Sequence, residues 1–224
     1  MPRPRVPLSG RGRCGRVHAI AAAAAASLSW DEAAFRALNL AGTDAAMDAF
    51  MIGLSLASTA YVLAVLAVPL WWRGHRDKAF DLLVLLAVTM LATEAIKFAT
   101  GRPRPCSPDV LPDVRTIAGF GCDAEFDPAF PSGHTSRAFA VAAFLGIHFR
   151  WRLGATAASF AVFAGVSRVY LGVHWPSDAV GGALLGIALA LVLARVARDL
   201  QGYKRLRARI VGAVAGGTNR GRAT

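Results

Sequence analysis

The sequence predicts an all-α protein, an integral membrane bundle of about five transmembrane helices preceded by an N-terminal interfacial helix. Composition is the first reason: hydrophobic residues make up 55% of the 224 residues and charged residues 17%, whereas charged residues make up about 25% of ordinary soluble domains. The second reason is that long apolar segments recur along the chain and are separated by short polar loops. The third is that charged and aromatic residues cluster at the ends of these segments, as they do at membrane interfaces.

The N-terminal region does not contain a convincing span. Residues 1–18 carry arginines among Pro and Gly, which predicts disorder. Residues 19–28 form an alanine-rich run that is too short for a bilayer, which needs about 20 residues. A cleaved signal peptide is the alternative, but alanine makes a weak signal core and no small-x-small site follows. Trp30, Phe35 and Leu38 alternate with the polar Asp31 and Arg36, so we expect an interfacial helical segment over residues 19–47.

Five apolar segments then predict a membrane-embedded domain over residues 48–200. They run from Asp48 to Trp72, Ala79 to Thr100, Ser132 to Phe149, Leu153 to about Leu171, and Ser177 to about Ala197. Pro176 suits the first turn of the last helix, where its missing N–H is not needed. Residues 201–224 are predicted to be a basic, partly disordered tail.

Charge sets the expected orientation. The net charge of +11 is compatible with nucleic acid, anionic lipid or a phosphorylated substrate as partner. Because the basic residues are divided among loops, nucleic acid is disfavoured. Basic loops and the tail fall on one side of a five-span layout, which the positive-inside rule makes cytoplasmic: Arg73, Arg76, Lys78, Arg150, Arg152, Lys204, Arg205, Arg207 and Arg209. The opposite, extracytoplasmic side of the inner membrane then holds the polar motifs.

The chain has three cysteines, Cys14, Cys106 and Cys122. The last two lie in one polar loop. If that loop is extracytoplasmic, a disulfide is expected and stabilises the fold by ~3 kcal/mol in the chain-entropy model. Free buried cysteines are the alternative, and the spacing matches no zinc signature.

The first motif lies at the end of the second span. Lys97 is still within the apolar segment, where an unpaired charge costs at least ~2.5 kcal/mol. Snorkelling to the interface, with Glu94 as partner, is the alternative to a role in anion binding. Arg104 lies in a loop stiffened by two prolines, which reduces the entropy lost on fixing a guanidinium. Arginine suits bidentate contact with phosphate oxygens.

The second motif, Pro131-Ser132-Gly133-His134, stands where a loop meets the third span. Free N–H groups and the helix dipole make such a helix start an anion site. Gly133 permits close backbone approach, and Ser132 can cap the helix or donate to an oxygen. His134 would lie beside the bound anion and could protonate a leaving oxygen. The alternative is a simple N-cap followed by an interfacial histidine.

The third motif joins the end of span four to the start of span five. It contains Ser167-Arg168, followed by His174 and Asp178. Residues four apart share a helix face, so Asp178 can hold one imidazole nitrogen and leave the other as a nucleophile. An ion pair between Asp178 and Arg168 is the alternative.

The two histidines and the aspartate could instead form a two-histidine, one-carboxylate metal site. Three nearby cations, Lys97, Arg104 and Arg168, argue against a divalent metal because they would repel it. The same cations would neutralise a phosphoryl group and its transition state. The sequence therefore predicts phosphate chemistry without metal or cofactor.

Together, Lys97-x6-Arg104-Pro105, the Pro131-to-His134 motif and Ser167-Arg168-x5-His174-x3-Asp178 resemble the three motifs of the type 2 phosphatidic acid phosphatase superfamily. That group contains lipid phosphate phosphatases and the related vanadium haloperoxidases. Residues 38–48 and the first span are similar to bacterial undecaprenyl-diphosphatase-type members.

The resemblance implies a role for each motif residue. His174 would attack phosphorus and form a phosphohistidine, oriented by Asp178, while His134 would protonate the departing lipid oxygen and later activate water. The phosphate would be held by Lys97, Arg104, Ser132, Gly133 and Arg168. Two further arginines stay open: Arg102 contacts a second phosphate or shapes its loop, and Arg137 does the same or pairs with an acid in the 109–127 loop.

The leading functional hypothesis is a membrane lipid phosphatase that acts on a long-chain prenyl diphosphate. Phosphatidate or phosphatidylglycerophosphate hydrolysis, phosphotransfer to a lipid or sugar hydroxyl, and non-catalytic lipid binding are the alternatives. The membrane spans disfavour a haloperoxidase, and intact motifs disfavour lost catalysis. The expected partners are a lipid phosphate and the bilayer; the sequence leaves the oligomeric state open.

Overall fold

A computed structural model describes residues 30–39, 41–42, 44–117, 119, 122 and 127–220, with side chains as far as residue 216. Every regular element in these ranges is a helix, which confirms the all-α prediction. The helices are α1 (residues 30–39), α2 (Ala45–Ala57), α3 (Ala60–Ala64), α4 (Ala67–Trp72), α5 (Arg76–Thr100), α6 (Gly133–His148), α7 (Trp151–Tyr170), α8 (Pro176–Asp199) and α9 (Gln201–Arg220). The disorder and the alanine-rich run expected within residues 1–29 lie outside the described residues.

Three helices, α5, α7 and α8, are long and apolar enough to cross a membrane. A fourth crossing is possible if α2 and the α3–α4 segment are taken together as one bent span. The sequence predicted about five, and the remaining predicted span is α6, which leads the chain from the end of α5 back to the start of α7. With 16 residues, α6 is about 24 Å long at 1.5 Å per residue, shorter than a hydrocarbon core of about 30 Å.

The first predicted span, Asp48 to Trp72, is not one continuous helix. It bends by 56° between α2 and the α3–α4 segment. At the bend the Ser58 hydroxyl donates to the Ser55 carbonyl oxygen over 2.8 Å, a local bond that competes with the helical pattern. A second break precedes α4, where Pro69 cannot donate a helical hydrogen bond to Val65.

The short helix α6 lies in the middle of the bundle and packs most extensively on α7 and α8. Small residues allow α8 to approach it closely. A Cβ atom at Gly186 would lie 2.1 Å from the Ser136 carbonyl oxygen, and one at Gly182 would lie 2.5 Å from that of Ser132. Such close backbone contact is typical of helix pairs in membranes. The second motif, at the start of α6, is thereby fixed against the start of α8.

The sequence predicted a basic, partly disordered tail over residues 201–224. The structure has helix α9 over Gln201–Arg220, and residues 221–224 lie outside the described residues. The partner of α9 is Asp81, which is buried in α5 and accepts 2.7 Å hydrogen bonds from the Tyr203 hydroxyl and the Arg207 guanidinium. Val211 and its apolar neighbours on α9 face α4 and α5. A buried carboxylate needs such partners, and this requirement holds the helix in place.

Several contacts hold the loop between α5 and α6 at the end of the bundle where α6 begins. Cys106 and Cys122 form a disulfide with a Cα–Cα distance of 5.7 Å. The Asn39 side-chain amide donates to the carbonyl oxygens of Arg115 (2.8 Å) and Tyr170 (2.9 Å). Helix α1 and the α5–α6 loop are thus tied to the end of α7, beside the third motif.

Candidate active site

The structure brings the three motifs together at one end of the bundle. The end of α5 and the following loop supply the first motif, the start of α6 the second, and the α7–α8 connection the third. His174 lies near enough to Lys97, Arg104 and Arg168 to interact with their charges. His134 lies near enough to Arg168 and Arg137 to interact with their charges.

His174 is buried in the connection between α7 and α8, with Asp178 one turn further along. The distance from His174 Nδ1 to Asp178 Oδ2 is 3.5 Å, which is longer than a hydrogen bond. Among the described residues Nδ1 has no hydrogen-bond partner, whereas Asp178 accepts from the Trp175 N–H over 2.8 Å. Asp178 therefore stands at the Nδ1 side of the imidazole without a direct hydrogen bond to it.

The surroundings of His174 favour a neutral ring. Burial lowers its pKa well below the ordinary histidine value, and the positive charges of Arg104, Arg168 and Lys97 lower it further. A neutral imidazole retains the lone pair that a nucleophile needs. The same cations that would bind a phosphate thus also keep the imidazole of His174 neutral.

Asp127 joins the two cations of the first motif. The Lys97 ammonium donates to Asp127 Oδ1 over 2.5 Å, and Arg104 pairs with Oδ2 and donates from Nε to the Asp127 carbonyl oxygen over 2.8 Å. Burial raises the pKa of Asp127, but the hydrogen bond from Lys97 and the charges of Arg104 and Lys97 outweigh it, so that the pKa is lowered. Glu94, the snorkelling partner considered from sequence, lies farther from Lys97, at 3.8 Å.

Sequence reasoning missed Asp127. The only signal for it was an acidic residue a few positions before Pro131, in a loop between two cationic motifs. Arg104 also donates from Nη1 to the Val173 carbonyl oxygen over 3.2 Å. This bond ties the first motif directly to the residue that precedes His174.

The start of α6 can donate hydrogen bonds to an acceptor such as a phosphate oxygen. Ser132 is its buried N-cap residue and makes no side-chain capping bond. Its Oγ accepts from the Thr135 hydroxyl over 3.0 Å, so the hydroxyl proton of Ser132 remains available to another oxygen. A Cβ at Gly133 would lie 3.1 Å from Arg137 Nη1, so the absence of a side chain gives this guanidinium its space.

Arg168 does not form the ion pair with Asp178 that was the alternative from sequence. Its Nη1 donates to the Ser55 hydroxyl on α2 over 2.5 Å, and its buried Nε has no partner in the part of the chain that the structure describes. Within the described residues, Asp178 pairs with Arg102 instead, over 2.7 Å.

Arg102 is fully engaged in holding the start of α8. It donates to Ser177 Oγ over 2.6 Å and to Asp31 Oδ2 over 2.7 Å, and it stacks over the Trp175 ring. Asp31 also accepts from the Ser177 N–H over 2.9 Å, at the first turn of α8. The sequence placed Asp31 on the polar face of an interfacial helix, yet it is buried. This geometry favours the loop-shaping role of Arg102 over contact with a second phosphate.

Arg137, the other additional candidate, is buried one turn into α6. The sequence offered an acidic partner in the 109–127 loop as one explanation for it. Among the residues that the structure describes, no acidic group of that loop lies within ion-pair distance of Arg137.

A membrane helical bundle that gathers two histidines, a carboxylate and several cations at one end defines a membrane-embedded phosphatase that acts on lipid phosphates. Residues 78–201 match the family model of the PAP2 superfamily, and the chain belongs to that superfamily. It is a multi-pass membrane protein.

Several relatives are similar over most of their length. YbjG of Escherichia coli strain K12 is 33% identical over 144 residues, which cover 64% of this chain and 70% of that protein. The undecaprenyl-diphosphatase BcrC of Bacillus subtilis is 28% identical over 187 residues, covering 80% and 91%. A crystal structure of the PAP2-type phosphatidylglycerolphosphate phosphatase of B. subtilis superimposes with a TM-score of 0.62 at 27% identity, covering 79% of this chain and 88% of that one.

Proposed function

We propose that this protein hydrolyses a long-chain prenyl diphosphate through a phosphohistidine on His174. The observation that carries the proposal is the position of His174, buried and held neutral among Lys97, Arg104 and Arg168. The similarity to an undecaprenyl-diphosphatase supports the prenyl substrate. The similarity to a phosphatidylglycerolphosphate phosphatase favours a glycerol lipid phosphate as the second candidate.

In the first step, Nε2 of His174 attacks the terminal phosphorus. The bond from phosphorus to the leaving oxygen breaks and its electron pair goes to that oxygen. His134, whose protonated form the negative charge of the bound phosphate favours, supplies the proton. Lys97, Arg104 and Arg168 balance the charge on the phosphoryl oxygens, helped by the Ser132 hydroxyl and the Gly133 N–H. The lipid leaves with one phosphate fewer.

In the second step, a water molecule attacks the phosphohistidine and gives a proton to His134. The P–N bond breaks, and its electron pair returns to His174, which is ready for another cycle. Asp178 positions the imidazole from the Nδ1 side, 3.5 Å away, and this contact shortens to a hydrogen bond when substrate binds, as catalytic contacts often do.

We place the active site on the extracytoplasmic face of the inner membrane. The Cys106–Cys122 disulfide lies at the end of the bundle that carries the motifs, and disulfides persist in oxidising compartments. The basic connections at the other end, around Arg73 and Arg150, suit the cytoplasmic face.

The test is phosphate release by the purified full-length protein in detergent. Substrates are undecaprenyl diphosphate, undecaprenyl phosphate, phosphatidate and phosphatidylglycerophosphate, with and without a metal chelator. We expect the prenyl diphosphate to give the highest kcat/KM and the chelator to have no effect. His174→Gln should be inactive, since it keeps the size of the side chain but removes the nucleophile. Wild-type activity in that variant, or loss of activity with chelator, would refute the mechanism.

A further inference from the structure

Arg137 is a buried cation with no acceptor in the described part of the chain. Arg137 is only 8% exposed, and its Nε has no hydrogen-bond partner among the described residues. Burying an unpaired charge is strongly unfavourable, so a folded protein retains one where an anion compensates for it. Three other cations at this end have a carboxylate partner: Lys97 and Arg104 pair with Asp127, and Arg102 with Asp178. Arg168 donates to the neutral Ser55 hydroxyl and, within the described residues, likewise has no anion.

The side chain of Arg137 is directed toward the motif end of α6. Helical side chains lean toward the helix N-terminus, and Arg137 Nη1 lies 3.1 Å from the position of a Cβ on Gly133. The guanidinium is close enough for its charge to act on both His134 and Arg168. The acidic group that acts on it is Glu94 of α5, which is half-exposed and does not reach ion-pair distance.

We propose that Arg137 binds the second phosphate of a diphosphate substrate, the phosphate that leaves with the lipid. This inference rests on the proposed function and names the feature of the site that selects diphosphates. His134, the proton donor to the leaving oxygen, and Arg137 are three residues apart on α6, so they share a face of that helix. A cation beside His134 therefore lies on the leaving-group side of the scissile bond.

The chemistry of the two substrate classes differs at this point. In a diphosphate, the bridging P–O bond breaks, its electron pair passes to the bridging oxygen, and that oxygen takes the proton from His134. The departing lipid monophosphate carries anionic oxygens, to which the fork of Arg137 can donate two N–H bonds. Arg137 remains protonated throughout. In a lipid monophosphate, the leaving group is an alcohol that offers no anion to Arg137.

The test compares two substrates that share one chain, farnesyl diphosphate and farnesyl monophosphate, with the full-length protein in detergent. We expect Arg137→Gln to lower the ratio of the two kcat/KM values, diphosphate over monophosphate, by about ten- to hundredfold. Arg137→Lys should retain part of the ratio because it retains the charge. Arg205→Gln, an exposed arginine of α9 at the opposite end, is the matched control and should leave the ratio unchanged.

A second measurement needs no variant. Inorganic diphosphate should inhibit the wild-type protein at least about tenfold more strongly than orthophosphate, because it reaches both Arg137 and the first-motif cations. Equal inhibition by the two anions would overturn the inference, even if Arg137→Gln fails to fold.

The remaining outcomes separate the inference from the proposed function. If Arg137→Gln lowers both kcat/KM values equally, or neither, Arg137 does not select diphosphates while the phosphatase function stands. A wild-type protein that hydrolyses only the monophosphate overturns the inference in the same way. If only the diphosphate is hydrolysed, Arg137→Gln must lose this activity and Arg137→Lys must keep part of it. If the protein hydrolyses neither farnesyl substrate, nor the undecaprenyl phosphates, nor the glycerol lipid phosphates, the proposed function itself is overturned.

Discussion

Asp127 pairs with Lys97 and Arg104, the two cations of the first motif to which a substrate phosphate would bind. Its carboxylate bonds to Lys97 over 2.5 Å and pairs with Arg104. A phosphate that binds to the same two side chains must first displace this carboxylate. We therefore predict that Asp127→Asn, which keeps the shape but removes the charge, strengthens the binding of phosphate-like anions.

The size of the effect follows from the contacts. A hydrogen bond to a charged group contributes about 1.5–3 kcal/mol, but the Asp127 side chain is 44% exposed, and solvent reduces an exposed pair to about 1 kcal/mol or less. The two pairs with Lys97 and Arg104 together therefore oppose phosphate binding by about 1–2 kcal/mol. This corresponds to a change in affinity of about 5- to 30-fold.

The assay is inhibition of lipid phosphate hydrolysis by orthovanadate, a mimic of phosphate. The inhibition constant should fall about 5- to 30-fold in Asp127→Asn. Asp109→Asn is the matched control, because Asp109 is an exposed acid of the same loop. It should leave the constant unchanged.

An unchanged or larger inhibition constant in Asp127→Asn would refute the reasoning. It would mean that the carboxylate holds Lys97 and Arg104 in position for phosphate rather than competing with it. Acidification cannot replace the substitution. The pKa of Asp127 is already lowered by its cationic partners, so the carboxylate stays charged until well below neutral pH.

Three further predictions concern packing, the disulfide and pH. Gly186→Ala should lower the free energy of unfolding by about 1–3 kcal/mol, measured as a fall in Tm, because the new Cβ would meet the α6 backbone; Gly53→Ala, where a Cβ meets nothing, is the control. Reducing the Cys106–Cys122 disulfide should destabilise the protein by ~3 kcal/mol, and an impermeant maleimide should then label intact spheroplasts, whereas labelling only after lysis would contradict the orientation. The lowered pKa of His174 means that the unfolded chain binds this proton more readily; the wild-type Tm should therefore fall as pH drops below about 6.5, and His174→Gln should reduce that fall.

The sequence was sufficient to predict that the three motifs meet at one end of the bundle. Charged residues in apolar segments are costly, so Lys97 and Asp178 needed partners at an interface. Helical spacing predicted that His174 and Asp178 share a face if one helix includes both; in the structure His174 lies before the N-cap of α8, and the two side chains still approach to 3.5 Å. Length and apolarity were also sufficient for α5, α7 and α8. These predictions depend on local patterns, which a single sequence contains.

The features that the sequence did not reveal depend on contacts between distant residues. Asp31 bonds to Ser177 across 146 positions, and Asp127 bonds to Lys97 across 30. No spacing rule links such pairs. The same holds for α9, whose order depends on Asp81 in a helix more than a hundred residues earlier. The second break in the first span, before α4, had a local sign in Pro69, which the apolar character of the segment outweighed.

The charge balance of the resting site links Asp127 to Arg137. Asp127 pairs with both Lys97 and Arg104, whereas Arg137 has no anion among the described residues. When a diphosphate binds, one of its phosphates would replace the Asp127 carboxylate at Lys97 and Arg104. Its other phosphate would give Arg137 an anion that it lacks in the resting site. The two substitutions should therefore act differently. Asp127→Asn should strengthen the binding of mono- and diphosphates alike, because the displaced carboxylate opposes both. Arg137→Gln should weaken only diphosphates, so a single set of inhibition constants distinguishes the shared phosphate site from the second one.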